Sequence, residues 1–251
     1  MSIAFATIIH DPEGRLAEPI RAAAPTLGRM FSGFAASLTE ATDPRLAIVL
    51  RETLGARVAS HPTGEAIIGL ARRSAVALAL EGEAERVLYS DMDHVLRWID
   101  ADPQEMRDVL SAQPEAQLLI IGRTAEAMAA VPRRLRDTET PVNRAYELLT
   151  GRAADLLFAV RRIDRAAAAD IVAHGRVDSI ANDVEWPLLA EQRGHRIGYA
   201  EAHGLSYRTI DEYGAASDSY DHDPLQWIRR LEMAGDMARV MRPFLRPTGE
   251  R

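Results

Sequence analysis

Asp91 and Asp93, one residue apart at the end of the apolar run Arg86–Ser90, are the pair best suited to chemistry. In extended backbone, residues two apart point the same way. Two carboxylates so placed can face one cation, and their hard oxygens suit Mg²⁺ or Mn²⁺. Such a cation can hold a diphosphate and take up the charge that develops on a leaving phosphate. The competing reading is a solvated acidic loop. By the same alternation, His94 points away from the two aspartates.

The chain around the pair alternates between strand and helix patterns. Ile3–Ile9 is short, β-branched and apolar, and is stopped by His10-Asp11-Pro12-Glu13-Gly14, as a buried strand ending in a turn would be. A helical stripe follows from Leu16 to about Met30, disturbed by Pro25. Phe34–Leu38 reads as a second strand, closed by Thr39-Glu40. Asp43-Pro44 opens a helix running to about Leu54. Ala56–Ser60 is a third strand ended by His61-Pro62, Glu65–Leu80 a helix, and Arg86–Ser90 a fourth strand. Three turns of this alternation predict a parallel α/β sheet, whose ligands bind beyond the carboxyl ends of the strands.

The second half predicts a helix at Asp102–Ser111 and a strand at Gln117–Ile121, followed by Gly122-Arg123-Thr124. Helices are expected at Ala125–Ala130, Val142–Thr150, Arg165–His174 and Asp183–Arg193. A short strand at His195–Ala200 and a last amphipathic helix from Pro224 to Leu245 complete the chain. The apolar residues of that helix read as core or as a contact between two copies.

This order of elements resembles the glycosyltransferases with the GT-A fold. The resemblance rests on the opening strand Ile3–Ile9, Thr39-Glu40 after the second strand, the segment Ala71-Arg72-Arg73 on the following helix, and the Asp-x-Asp of Asp91 and Asp93. It implies a single α/β domain with a mostly parallel central sheet flanked by helices, plus a C-terminal helix. Residues 1–100 would form the nucleotide-sugar half and residues 101–251 the acceptor half. The donor would meet His10, Asp11, Glu40, Arg72, Asp91 and Asp93, with Mg²⁺ or Mn²⁺ held by the two aspartates. His203, in Ala202-His203-Gly204, would be a third metal ligand, with His222 as runner-up.

The resemblance continues through Asn182-Asp183-Val184-Glu185-Trp186 and the turn Gly194-His195. In inverting members the acidic residue here is the general base, which implies Asp183, assisted by Glu185. Asn182 stands where many members carry Glu or Asp, and this leaves the stereochemical outcome open. An ordinary N-cap is the alternative for this segment. Gly122, Arg123 and Thr124 would face the acceptor. Arg123 could hold an anionic acceptor such as glycerate or its phosphate in a bidentate grip, or could pair with Glu126 or Glu139.

Composition narrows the alternatives. The 251 residues include no cysteine and no lysine, so all 30 basic residues are arginine, against 37 acidic ones. Thiolate metal sites, cysteine nucleophiles, lysine Schiff bases and P-loop lysines are excluded. The net charge of −7 gives no general attraction to nucleic acid. No apolar run is long enough to span a membrane, and a cytoplasmic protein is expected. The predicted activity is metal-dependent transfer of a sugar from a nucleotide-diphosphate donor to an acceptor hydroxyl. A nucleotidyltransferase of related fold is the main alternative, and its Gly-rich phosphate loop has only Gly14 to match it. A non-catalytic nucleotide-sugar-binding module and a carboxylate-metal hydrolase are the others.

Overall fold

The computed structural model describes residues 2–205 and 217–245. Seven strands form one sheet: β1 Ile3–Ile9, β2 Gly33–Thr39, β3 Arg57–His61, β4 Arg86–Tyr89, β5 Leu118–Arg123, β6 Val160–Asp164 and β7 Ile197–Ala202. Their order is β3-β2-β1-β4-β6-β5-β7. All neighbours run parallel except β6, which is antiparallel to β4 and β5. The sheet is therefore mostly parallel, as expected.

Helices cover both faces, because a parallel sheet must bury both. Alternate strand residues sort the core into two layers. Phe5, Leu88, Leu119 and Ile121 pack under α1 Ala17–Met30, α2 Pro44–Leu54, α4 Met92–Ala101 and α5 Pro103–Ser111. Ala4, Ala6, Val87, Tyr89 and Ile120 face α3 Ile68–Leu80, α7 Arg133–Thr150, α8 Arg165–His174, α9 Asn182–Gln192 and α10 Pro224–Met241. The short α6, Ala125–Ala130, follows β5. No helix among the described residues is long and apolar enough to cross a membrane. On α10, Leu225, Ile228 and Leu231 are at least half exposed, on the helix where contact between copies was expected.

Three elements depart from the sequence reading. β6 was not expected, because Arg161-Arg162-Ile163-Asp164 reads as a charged loop. Both arginines are nonetheless fully buried. The guanidinium of Arg162 donates to the carbonyls of Leu110, Ala112, Gln113 and Ala116. That of Arg161 donates to the carbonyls of Leu156, Val160 and Asp183. A buried cation is tolerated where its donors are met, and the backbone meets all the terminal guanidinium nitrogens here, Arg162 Nε alone of that side chain going without.

The second departure is α4, Met92–Ala101, a helix the sequence did not suggest, which makes Asp93 and His94 helical rather than extended. The third is α7, which runs through Pro141 instead of starting after it. Proline lacks only its own N–H, and the surrounding turns are held by Thr138 and Thr140 hydroxyls donating to the carbonyls of Arg134 and Arg136.

Candidate functional site

The carboxyl ends of β1, β2, β3 and β4 meet at one edge of the sheet, and two adjoining clefts open there. The first, about 480 Å³, is lined by Ile8 to Glu13, Arg15, Leu16, Asp91, Met92 and Asp93. The second, about 350 Å³, is lined by Ile8, Ile9, His10, Thr39, His61, Thr63, Gly64, Glu65 and Ile68. His10 belongs to both.

Neutral hydrogen bonds build the second cleft. His10 Nδ1 is 2.8 Å from the Thr39 hydroxyl, which is 2.9 Å from that of Thr42. The Thr42 hydroxyl donates to the Ile9 carbonyl and accepts from the Asp11 N–H. His61 Nδ1 lies 2.9 Å from the Ser37 hydroxyl, and burial lowers the pKa of this imidazole. The imidazoles of His10 and His61, beside Ile8 and Ile68, form an apolar slot with polar edges, the kind of surface a flat heterocycle can enter.

Six residues were assigned to the donor, and the structure separates them. His10, Asp11, Asp91 and Asp93 line the first cleft. Asp11, however, is buried and spends its carboxylate on the N–H groups of Arg15 and Leu16, fixing the turn into α1. Glu40 stands exposed beyond β2, its N–H donating to the His61 carbonyl. Arg72 is corrected from a cleft residue to an interior one. It is buried, donates to Asn182 and Asp183, and its guanidinium lies 5.5 Å from the Tyr89 ring centroid. Burial opposes its charge, but Asp183, Tyr89 and Asp91 together raise its pKa above the ordinary arginine value.

The two aspartates share the cleft by a route other than strand alternation. β4 ends at Tyr89, Asp91 is the N-cap of α4, and Asp93 lies in the first turn. Asp43, Asp102, Thr124 and Asp223 all cap the helices they precede with their side chains. Asp91 makes no such bond. Its Oδ1 instead accepts from the Tyr89 hydroxyl at 3.1 Å. Asp93 pairs with Arg97 at 2.8 Å on the next helical turn. His94, in α4 and not in the extended backbone its expected direction rested on, stacks on Phe158 with centroids 4.0 Å apart.

His203 follows β7, three strands from β4, and is exposed, with its N–H bound to Glu105 Oε1. His222 is exposed as well. Among the described residues no three carboxylate or imidazole groups converge on a point that could hold a metal. The expected third ligand, His203, therefore does not converge with Asp91 and Asp93 among the described residues; it follows β7, which lies three strands from β4.

The acidic segment of α9 is placed inside, not in the open clefts. Asp183 is buried and bonded to Arg72 at 2.7 Å. Burial pushes its carboxyl above the usual range, and Arg72 and Arg161 pull it back. Glu185 turns the other way, its Oε1 accepting the N–H groups of Arg176 and Val177 and bracing the loop between α8 and α9. The expected assistance of Glu185 to a base is therefore not what its contacts provide.

At the end of β5, Arg123 is buried and fixed. Its Nε and Nη2 grip both oxygens of Asp155, and Nη2 also donates to Glu139. Glu139 pairs with Arg230 of α10, and Asp155 accepts from Asn143. The pairing with Glu139, one of the two readings of Arg123, is the one present. Gly122 admits no side chain, since a Cβ would lie 2.6 Å from the Tyr199 hydroxyl and 2.7 Å from Asp155 Cβ. The Thr124 hydroxyl caps α6. The three residues form a rigid frame around an ion-pair chain.

Tyr89 and His61 are the cleft-supporting residues that the assigned set lacked. Tyr89 reads as one more apolar strand residue, and nothing in the sequence signals its bond to Asp91. His61 is visible as a polar residue after a strand, but its neighbour Ser37 is not.

No family model matches the sequence, and no curated protein matches it. Solved structures do. A crystal structure of M. tuberculosis glucosyl-3-phosphoglycerate synthase superposes with a TM-score of 0.59 at 14% identity, covering 99% of this chain and 82% of that one. The same enzyme in complex with Mn²⁺, uridine-diphosphate-glucose and glycerol 3-phosphate gives 0.55 at 13%, covering 99% and 82%. Its complex with Mg²⁺ and uridine-diphosphate gives 0.54 at 13%, covering 99% and 81%. With its strand order, its two-layered core and these superpositions, the chain has a GT-A-like α/β fold.

Proposed function

We propose that this chain is a glycosyltransferase that takes a sugar from a nucleotide-diphosphate donor in the presence of Mg²⁺ or Mn²⁺. The observation that carries the reading is the charge of the first cleft. Asp91, Asp93, Glu13 and Asp11 face or border it against one arginine, Arg15, which is itself paired with Glu13. A diphosphate entering such a cleft is repelled unless a cation comes with it.

Asp91 and Asp93 fit that cation. Both are hard oxygen donors on the same cleft, and neither is sealed from it. Bound there, the cation supplies positive charge to the leaving diphosphate. The slot of His10, Thr39, His61 and Ile68 would receive the base, and Glu40 would stand at its rim. Asp183 acts through Arg72, holding a permanent positive charge beneath Asp91. The acceptor hydroxyl would come from the side of β5, where Gly122, Arg123 and Thr124 give a fixed wall. The neighbouring structures, which carry a uridine nucleotide with Mn²⁺ or Mg²⁺, support the choice of donor class.

Thermal melting with UDP-, GDP- and ADP-sugars, each with and without Mn²⁺, tests this. One nucleotide sugar at about 100 times its Kd should stabilise the protein by about 2.7 kcal/mol, a rise of about 5–10 °C, only with metal. Stabilisation by a nucleoside triphosphate and a sugar phosphate instead would overturn it in favour of nucleotidyl transfer. So would equal stabilisation without metal, as regards the cation.

A further inference from the structure

We infer that the Tyr89 hydroxyl is a positioning group for the cation: it turns Asp91 away from capping α4 and presents its carboxylate to the cleft. The inference rests on Asp91 being a cation ligand and adds a residue to that site which does not itself touch the ion.

Three observations meet here. First, an aspartate at an N-cap normally accepts from the free N–H groups of the first turn, and Asp43, Asp102 and Asp223 do so. Asp91 has extended backbone angles suited to the same task (φ −68°, ψ 142°), yet makes no capping bond. The other aspartate that precedes a helix without capping it, Asp164, is drawn off by Arg86 at 2.6 Å. Asp91 has no arginine to draw it off by direct pairing; its partner is the Tyr89 hydroxyl.

Second, Tyr89 has no freedom to do otherwise. Its ring is buried, meets Trp186 edge-on at 5.3 Å and 77°, and lies against the Arg72 guanidinium. β4 is flanked by β1 and β6, with Tyr89 in register with Ala6 and Arg161. The hydroxyl is thereby held at one point at the end of the strand.

Third, the opposite end of the Arg72 contact is also fixed, by Asp183 and Asn182. The whole support under Asp91 is made of buried side chains. Carboxylates that ligate metals are commonly oriented by such outer hydrogen bonds, whose removal costs about 10–100-fold in metal affinity.

The test is Mn²⁺ binding to the full chain, read by the electron paramagnetic resonance of free Mn²⁺ in the presence of UDP, for the wild type, Tyr89→Phe, Tyr89→Met, Asp91→Ala and Asp93→Ala. Tyr89→Phe should weaken Mn²⁺ about 10–100-fold while its melting midpoint stays within a few degrees of wild type. Tyr89→Met, which also lacks the hydroxyl but fills space flexibly, should weaken it by a like amount and keeps the test open if the first variant folds poorly. In turnover the Mn²⁺ concentration for half-maximal rate should rise, with kcat regained at saturating metal. A Tyr89→Phe protein that binds Mn²⁺ as wild type does, while Asp91→Ala and Asp93→Ala do not, overturns this inference alone. A wild type that binds no Mn²⁺ overturns the cation reading of the site and the inference with it.

Discussion

The two ends of the sheet handle buried polarity in opposite ways. Around β1, β2 and β3 the polar atoms at the strand tips are hydroxyls and imidazoles, joined as His10–Thr39–Thr42 and Ser37–His61. Around β5, α7 and α10 they are charges, joined as Arg230–Glu139–Arg123–Asp155. Neutral hydrogen bonds each contribute about 1 kcal/mol and tolerate replacement. A buried ion chain is costly when one member is lost, because the remaining charges stay in place without water. The first end is thus built to exchange ligands, the second to hold its shape.

Mutations should separate the two ends, and the largest effect belongs to the rigid one. Arg123→Ala removes the only arginine paired with Asp155 among the described residues and leaves Glu139 to Arg230, and should destabilise the fold by about 3–5 kcal/mol in urea unfolding. A cost under 1 kcal/mol would break the comparison. Acid should attack the same end next. Burial would raise Asp155 and Asp221, but the bonds from Arg123 and from Arg134 hold both below the ordinary aspartate range. A carboxylate depressed in the folded state adds stability that is full above its unfolded pKa, about 4, and is lost as pH falls further. The contribution of these two carboxylates to the urea midpoint should therefore be flat near neutrality and fall below about pH 4, by at most about 1.4 kcal/mol per pH unit each, while Glu139, whose carboxyl burial raises, contributes with the opposite sign. Asp155→Asn should flatten that slope.

Gly122→Ala forces a methyl into Tyr199 and Asp155 and should cost about 1–3 kcal/mol in the same assay. At the open end, Thr42→Val removes the bonds to Ile9 and Asp11 and should cost about 1–2 kcal/mol. Asp93→Ala should change stability by no more than about 0.5 kcal/mol, yet abolish metal-dependent stabilisation by the nucleotide sugar. If Asp93→Ala unfolds the protein, the division between a binding end and a rigid end is wrong.

The same division explains what could be seen in the sequence. β1 to β4 appear as apolar runs broken by turn residues because their cores are aliphatic and their polar groups sit at the tips. The parallel sheet and the acidic pair at its edge follow from that pattern. β6 does not, because a strand that buries Arg161 and Arg162 among backbone carbonyls has the composition of a loop. Asp91, Asp93 and His10 were legible as residues that could share one cleft, and they line one. Arg72 and Asp183 were legible as polar residues worth placing, but their inward direction depends on each other across about 110 residues of sequence. Spacing along the chain carries no information about such pairs.

The reversed strand also sets a timetable for synthesis. Residues 3–89 contain all of β1 to β4, so that part of the sheet can pair as soon as it has been made. β5 cannot join it, because its place is beyond β6, and its other neighbour, β7, ends only at Ala202. At about 5–20 residues per second, the last strand follows the fourth by roughly 6–20 s. Until β6 is complete at Asp164, about a third of that interval, Leu118–Ile121, four consecutive aliphatic residues, has neither neighbour to pair with. A stretch left open in the nascent chain is thus one that ends up fully buried in the finished sheet.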